Sequence, residues 1–372
     1  MAVGKRIKNN ILNRSDVHNF YKNEYEHSHK KFNKLEKDYE KKFKDMDNKY
    51  QKKFKSYDRR IERLERNLYY YRKVIYSYRD CFSTIFMDYD LEPKPLLKRT
   101  FHLNLEMLDF IDNVCSKYGL EYWLDYGNLL GATRHDGFIP WDDDIDLGMM
   151  RKDYDKFIEV FEDELKEHGL ENDIIFNIKR HYNGEETHLS LFIKILYNPG
   201  DDMNETLVYD SNKTVYAGLD IFPYDYINEI PDDLEEKFTD TKPLLFLDVY
   251  NGDDYDTVLK KYYDTLNLSY ERTEHFIPGF EGTWGGSLYD FKVIDTDKVF
   301  PLSTITFEGR EYPCPNDFRY YLKLIYGKNY MTFPNIIRHH GRQEGLRVMD
   351  DALSNYDEYI EKMENINANF KK

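Results

Sequence analysis

The chain has 372 residues, enough for one large domain or two smaller ones. Hydrophobic residues make up 41% of it and charged residues 33%, which excludes wholesale disorder, and no apolar run approaches the roughly 18 residues of a membrane-spanning helix. The three cysteines are far apart and form no CxxC pair, so neither a disulfide framework nor a zinc knuckle is expected. With no apolar stretch of signal-peptide length near the N-terminus, the expected location is the cytoplasm, with contact at the inner face of the membrane as the alternative to a free protein. The net charge of −16 is unevenly spread: residues 1–80 carry 23 Lys and Arg against 12 Asp and Glu, a net of +11, leaving −27 for the remainder. Opposite charge in two regions suggests two tasks.

Residues 1–92 read as a basic helical, coiled-coil segment. No Pro or Gly interrupts residues 5–92. From Phe32 to Tyr57 large apolar residues recur in an eleven-residue repeat, and from Tyr57 to Phe82 in a heptad repeat. One long helix with a continuous sticky seam follows, a rod of roughly 75 Å for fifty residues. The seam is rich in Tyr and Phe, which weakens a parallel-dimer reading. Two uses are compatible with the pattern: homo-oligomerisation through the helix, or lying on an anionic membrane or polymer. Nucleic acid is not an expected partner, because the acidic remainder would repel phosphate.

Pro93 and Pro95 end the rod, and the body is expected to span residues 93–350, with a polar helical tail at 351–372. His102 to Tyr118 reads as an amphipathic helix stopped by Gly119. Residues 121–127 read as a short strand entering a Gly turn, 128–135 as a short helix, and 138–150 as a turn feeding a strand. Lys152 to His168 reads as a helix, residues 173–182, 188–197 and 215–225 as strands, and Asn316 to Tyr326 as a capped helix. The fold class expected is α/β, in the α+β sense of a mixed, partly antiparallel sheet.

The most informative stretch is Trp141-Asp142-Asp143-Asp144-Ile145-Asp146. On a strand, residues i and i+2 share a face, so Asp144 and Asp146 converge, Asp142 joins them if the strand starts early, and Asp143 points away. Two carboxylates on one spot repel unless a cation lies between them, and hard oxygen ligands suit Mg²⁺ or Mn²⁺. Upstream, Gly127 and Asn128 open a short helix whose free N–H groups suit a phosphate. The spacing to Asp144 matches Gly-Ser/Thr followed by Asp-X-Asp in the nucleotidyltransferase fold, which needs a third acid on a later strand; Asp220 is the best candidate. Arg134 is placed to neutralise transferred phosphate. His135 reads equally as an acid/base or a structural residue, and Lys194 as a phosphate ligand or a plain exposed lysine.

Together these pieces resemble the LicD/fukutin family of phosphotransferases. The carrying residues run from Tyr126 through Ala132, then Arg134-His135, Gly137 to Pro140, Trp141 to Asp146, Arg151 and Tyr154, with Leu219 to Pro223 downstream. Later matches reach Pro315-Asn316-Asp317, Tyr326-Gly327, Pro334 and His339-His340. Asn128 departs from the Thr or Ser usual in the family. The resemblance implies a nucleotidyltransferase-like catalytic domain with metal at Asp144, Asp146 and Asp220. It implies transfer of phosphocholine or a polyol phosphate from a CDP-linked alcohol donor to a hydroxyl of a cell-surface glycan or lipid-linked saccharide, such as teichoic acid, lipopolysaccharide or capsule. Asp142 would accept the acceptor's proton. The competing expectations are a nucleotidyltransferase that leaves the nucleotide on its product, and a non-enzymatic scaffold for glycan assembly.

Overall fold

The computed structural model describes residues 14–88, 93, 95–178, 191–197, 217–281, 291–333 and 350–370. The chain divides into two compact units at Tyr78/Arg79. The first is made by helix α1, Arg14–Asp88, whose 75 residues correspond to about 110 Å of unbroken helix and whose last turns belong to the second unit. Its seam is solvent-exposed: the large apolar residues from Phe32 to Tyr78 keep between 47% and 68% of their surface. Cys81 is exposed too, unlike the buried Cys115 and Cys314.

The second unit opens with α2, Pro95–Tyr118. This helix starts seven residues before the expected His102, because Pro is well suited to a first helical position, where its missing N–H is not needed. The rest of the order is β1 (Trp123–Leu124), α3 (Tyr126–His135), β2 (Ile145–Met150), α4 (Arg151–Glu167), β3 (Ile174–Asn177), β4 (Ile193–Tyr197) and β5 (Gly218–Ile227). Then follow α5 (Leu234–Tyr250), α6 (Tyr255–Leu266), β6 (Leu268–Ser269), β7 (His275–Pro278), β8 (Ile294–Asp295) and α7 (Thr296–Val299). The hairpin β9 (Ser303–Phe307) and β10 (Arg310–Cys314) leads to α8 (Phe318–Tyr326), and α9 (Asp350–Asn369) comes last. The outer parts of two expected strands, 179–182 and 188–190, lie outside the described residues, as do Pro334 and His339-His340. Asp317, not Asn316, caps α8: its carboxylate accepts from Tyr320 N at 3.0 Å, while the Asn316 N–H is spent on the Val299 carbonyl at 3.0 Å.

The sheet has the order β1-β2-β5-β4-β3. Among the described strands only β2 and β5 run parallel; the other neighbours are antiparallel. The α/β mixed sheet is as expected. β2 and β5 are near-continuous apolar runs because both of their faces are largely covered. Gly148 lets β1 approach β2 closely: a Cβ there would fall 2.3 Å from the Trp123 ring. One core joins α2, α4 and the sheet, with Leu108, Phe157 and Ile221 fully buried in it. Tyr356, Ile360 and Met363 of α9 enter the same core, and Arg99 forks onto the Asp357 carboxylate at 2.7 and 3.0 Å, so the polar tail set apart at 351 packs as part of this unit. A smaller core gathers α5, α6 and β7 around Phe238, Tyr262 and Phe280.

Arg151, at the start of α4, ties the two cores together. Its guanidinium forks onto Asp225 of β5 at 2.8 and 2.8 Å and onto Glu281 at 2.6 and 3.0 Å. Tyr263 donates to Asp225 and Tyr255 to Glu281. All three charges are buried, so each depends on the others. Arg151→Leu strands two carboxylates in the interior and should cost about 3–5 kcal/mol in urea denaturation. A loss below about 1 kcal/mol would show that the network is not what joins the cores.

Candidate active site

Asp125 organises the floor of the acidic site. It is fully buried, between β1 and α3. Its carboxylate caps α3 through Tyr126 N at 2.8 Å and accepts from the hydroxyls of Tyr224 on β5 at 2.6 Å and Tyr321 on α8 at 2.9 Å. Burial pushes its pKa up to about 6, against the opposing pull of those donors. The next residue, Tyr126, has φ +34, an unfavourable conformation for a bulky side chain that the cap and the tyrosine pair hold in place.

Gly127 then passes directly beneath Asp142: a Cβ would lie 2.5 Å from Asp142 Oδ2. A glycine is therefore what allows this carboxylate to sit at the N-terminus of α3, where the helix dipole favours negative charge. Asn128 is buried, and its side chain works as a clamp. Nδ2 donates to the Asp144 carbonyl at 3.1 Å and Oδ1 accepts from Asp146 N at 2.6 Å. The amide thus holds the backbone on which the acids are carried.

β2 begins at Ile145, so Asp142, Asp143 and Asp144 belong to the turn before it. Strand alternation therefore does not apply to Asp143. Instead of pointing away it is buried, and carboxylate oxygens of Asp142, Asp143 and Asp144 all lie within 4.8 Å of one another. Asp146 does follow the strand: it lies opposite Asp220 on parallel β5, which in turn lies opposite Lys194 on antiparallel β4. Adjacent strands are about 4.8 Å apart, so the three side chains form one row across the sheet. Lys194 Nζ is 2.9 and 3.1 Å from the two Asp220 oxygens. The lysine is thus not a plain exposed residue; it pairs with the third acid.

Electrostatics mark the same group of residues. Burial, then the charges of Asp144 and Asp143, hold Asp142 well above the usual carboxylate range. Burial, then Asp144, Asp220 and Asp142, do the same to Asp146. The phenol of Tyr326, at the end of α8, is raised by desolvation of its hydroxyl end and then by Asp146 and Asp142, although the residue keeps 41% of its surface. The acids have an all-oxygen donor set and an excess of negative charge that a small divalent cation relieves, so the residues fit Mg²⁺ or Mn²⁺. Trp141, next to Asp142 in the chain, meets Phe333 edge-on at 5.5 Å, and Phe333 stacks on Phe82 at 5.4 Å.

Arg134 sits in the last turn of α3, near enough to Asp142 to feel its charge. Its Nε donates to His135 Nε2 at 2.9 Å and Nη1 to the Tyr330 carbonyl at 3.4 Å. Burial, then the adjacent Arg134, lower His135 to about 4. His135 is therefore neutral at pH 7 and occupied as an acceptor, which favours its structural reading. The tyrosines 224, 321 and 326 and the buried Asp143 were not legible as site residues, since each is recruited by tertiary contact. A side-chain NMR titration should place the His135 midpoint near pH 4. A midpoint near the ordinary 6.5 would mean that Arg134 does not rest on the imidazole.

Comparison with known proteins adds the family. Residues 119–234 match the model described as LicD/FKTN/FKRP, nucleotidyltransferase domain. A segment of 64 residues is 48% identical to the lipopolysaccharide cholinephosphotransferase LicD of Haemophilus influenzae, covering 17% of this chain and 24% of that protein. A stretch of 127 residues is 32% identical to an uncharacterized protein of Rickettsia typhi, covering 31% and 40%. A further 48 residues are 46% identical to the human ribitol 5-phosphate transferase FKRP, covering 13% and 10%. The matched segments thus span less than half the length of each of these relatives. The matched span, residues 119–234, holds Asp125, Gly127, Arg134, the acids 142–146, Lys194 and Asp220, and the chain is similar there to the LicD/FKTN/FKRP nucleotidyltransferase domain.

Proposed function

We propose that the protein transfers a phosphorylated alcohol, phosphocholine or a polyol phosphate, from a CDP-linked donor to a hydroxyl of a cell-surface glycan or its lipid-linked precursor. The observation that carries this reading is the convergence of Asp142, Asp144, Asp146 and Asp220 inside the segment that is similar to the LicD/FKTN/FKRP nucleotidyltransferase domain. The names of two relatives, a cholinephosphotransferase acting on lipopolysaccharide and a ribitol 5-phosphate transferase, support phosphoalcohol transfer.

Asp144, Asp146 and Asp220 would hold Mg²⁺ or Mn²⁺, which when bound supplies charge neutralisation to the donor diphosphate. The chain's own residues do the rest. Asp142, whose basicity is raised by burial beside two other carboxylates, takes the proton of the acceptor hydroxyl. The freed acceptor oxygen bonds to the phosphorus bearing the alcohol, and the bond from that phosphorus to the oxygen of CMP breaks. Arg134, braced by His135 and Tyr330, faces the negative charge shared by the transferred and departing phosphates. Lys194 keeps Asp220 compensated while the site is empty of substrate. The clamp of Asn128 fixes the spacing between Asp144 and Asp146 throughout.

A second reading keeps the nucleotide on the product, and the family description as a nucleotidyltransferase domain is what favours it. Incubation with Mg²⁺, a panel of CDP-alcohols and a saccharide acceptor separates the two. CMP release supports phosphoalcohol transfer, and pyrophosphate release from a nucleoside triphosphate supports nucleotidyl transfer. Asp144→Asn and Asp146→Asn should each lower CMP release at least about ten-fold, roughly 1.4 kcal/mol of lost transition-state stabilisation or more. Their melting temperatures should hold or rise, because a repulsive cluster has been relieved. Activity retained by both variants would end the metal-site reading, and a large fall in melting temperature would mark the acids as structural.

A further inference from the structure

We propose that α1 pairs with α1 of a second copy of this chain, parallel and in register. The seam from Phe32 to Tyr78 holds fourteen large apolar residues, each about half exposed or more. Residues of this size carry some 150–250 Å², so about 100 Å² apiece, or roughly 1,400 Å² per helix, is open to solvent. That exceeds the roughly 800 Å² each partner contributes to a standard stable interface, and a monomer seldom shows an apolar patch so large.

The flanks of the seam identify the occupant. In four successive repeats the residue just before one seam position is basic, Lys31, Lys42, Lys53 and Arg60, while the last two heptads have Asn67 and Val74 there. Five residues later, just after the next seam position, stands an acid: Glu36, Asp47, Asp58 and Glu65. In a parallel pair of helices these are the positions that face each other across the seam, from one chain to its partner. All four are therefore complementary in a self-pair, twice over by symmetry. Antiparallel pairing would set the basic flank against the basic flank and the acidic against the acidic, at a cost in each of these four repeats. Register is fixed as well. The repeat changes from eleven to seven residues at Tyr57, and the two repeats supercoil with different hand, so like must lie against like. The aromatic seam that weakened a parallel reading from composition is thus outweighed by the charge order beside it. Pairing in this sense brings both chains out of the rod at the same end.

Light scattering of the full-length protein at micromolar concentration should give about 90 kDa, twice the 45.0 kDa chain. In a Cys81→Ser background, Leu64→Cys in the seam should form a disulfide-linked dimer on mild oxidation, whereas Arg66→Cys on the outer face should not. Replacing Lys31, Lys42, Lys53 and Arg60 with Glu should dissociate the pair. Mixing that variant with one carrying Lys at 36, 47, 58 and 65 should restore it as a mixed dimer. A monomeric mass would overturn the proposal, as would a dimer that Leu64→Cys fails to crosslink. Flotation of a monomer on phosphatidylglycerol vesicles would also overturn it, and would assign the seam to lipid.

Discussion

Crowded carboxylates are costly to bury, and the second unit is arranged around that cost. Asp142, Asp143, Asp144 and Asp146 fill four of five consecutive positions, and Asp220 lies directly across from Asp146 on the neighbouring strand. Left to themselves these groups would spread into solvent or take up protons. Three devices keep them together. Asn128 ties the Asp144 carbonyl and the Asp146 N–H to the start of α3. Gly127 leaves room for the Asp142 carboxylate at the helix N-terminus. Lys194 offsets Asp220 from the far side. The protein holds negative charge in a confined place, and the proposed phosphoryl transfer would give that arrangement a use through the cation and phosphates it would attract.

The supports reach far along the chain. Asp125 joins α3, β5 and α8 through one carboxylate, and Arg151 joins β5 to the segment after β7 through one guanidinium. Both are buried polar groups whose partners are all supplied by the protein. Such groups contribute little net stability as pairs, yet are expensive to break singly. They therefore fix geometry more than they add free energy. In this unit the acids rest on β2 and β5, which that geometry aligns.

The run from Gly127 to Asp146 was legible in the sequence because its chemistry is local: a glycine opening a helix, and acids packed more densely than a solvated turn requires. Asp220 was legible as an acid in an apolar strand. The strands and helices next to these pieces were readable for the same reason, through periodicity and Gly stops. What the sequence did not disclose depends on pairing at a distance. Nothing near Lys194 says that it faces Asp220 on the next strand. Nothing near Asn128 says that both ends of its amide are committed to residues 144 and 146. The orientation of Asp143 turned on whether β2 reaches back to Asp142; it begins at Ile145, so strand alternation does not govern Asp143. Tyr224 and Tyr321 are about a hundred and two hundred residues from Asp125 in the chain, and only the fold unites them.

The central claim is that Asp144, Asp146 and Asp220 form a divalent-cation site of the kind phosphoryl transfer needs. Electron paramagnetic resonance of Mn²⁺ tests it most directly, because the free ion's signal falls as the ion binds, with or without a CDP-alcohol present. The account predicts that one equivalent of Mn²⁺ is taken up per chain, is displaced by Mg²⁺, and is no longer taken up by a folded Asp146→Asn variant. An undiminished free-ion signal under both conditions, or equal uptake by the variant, would contradict it.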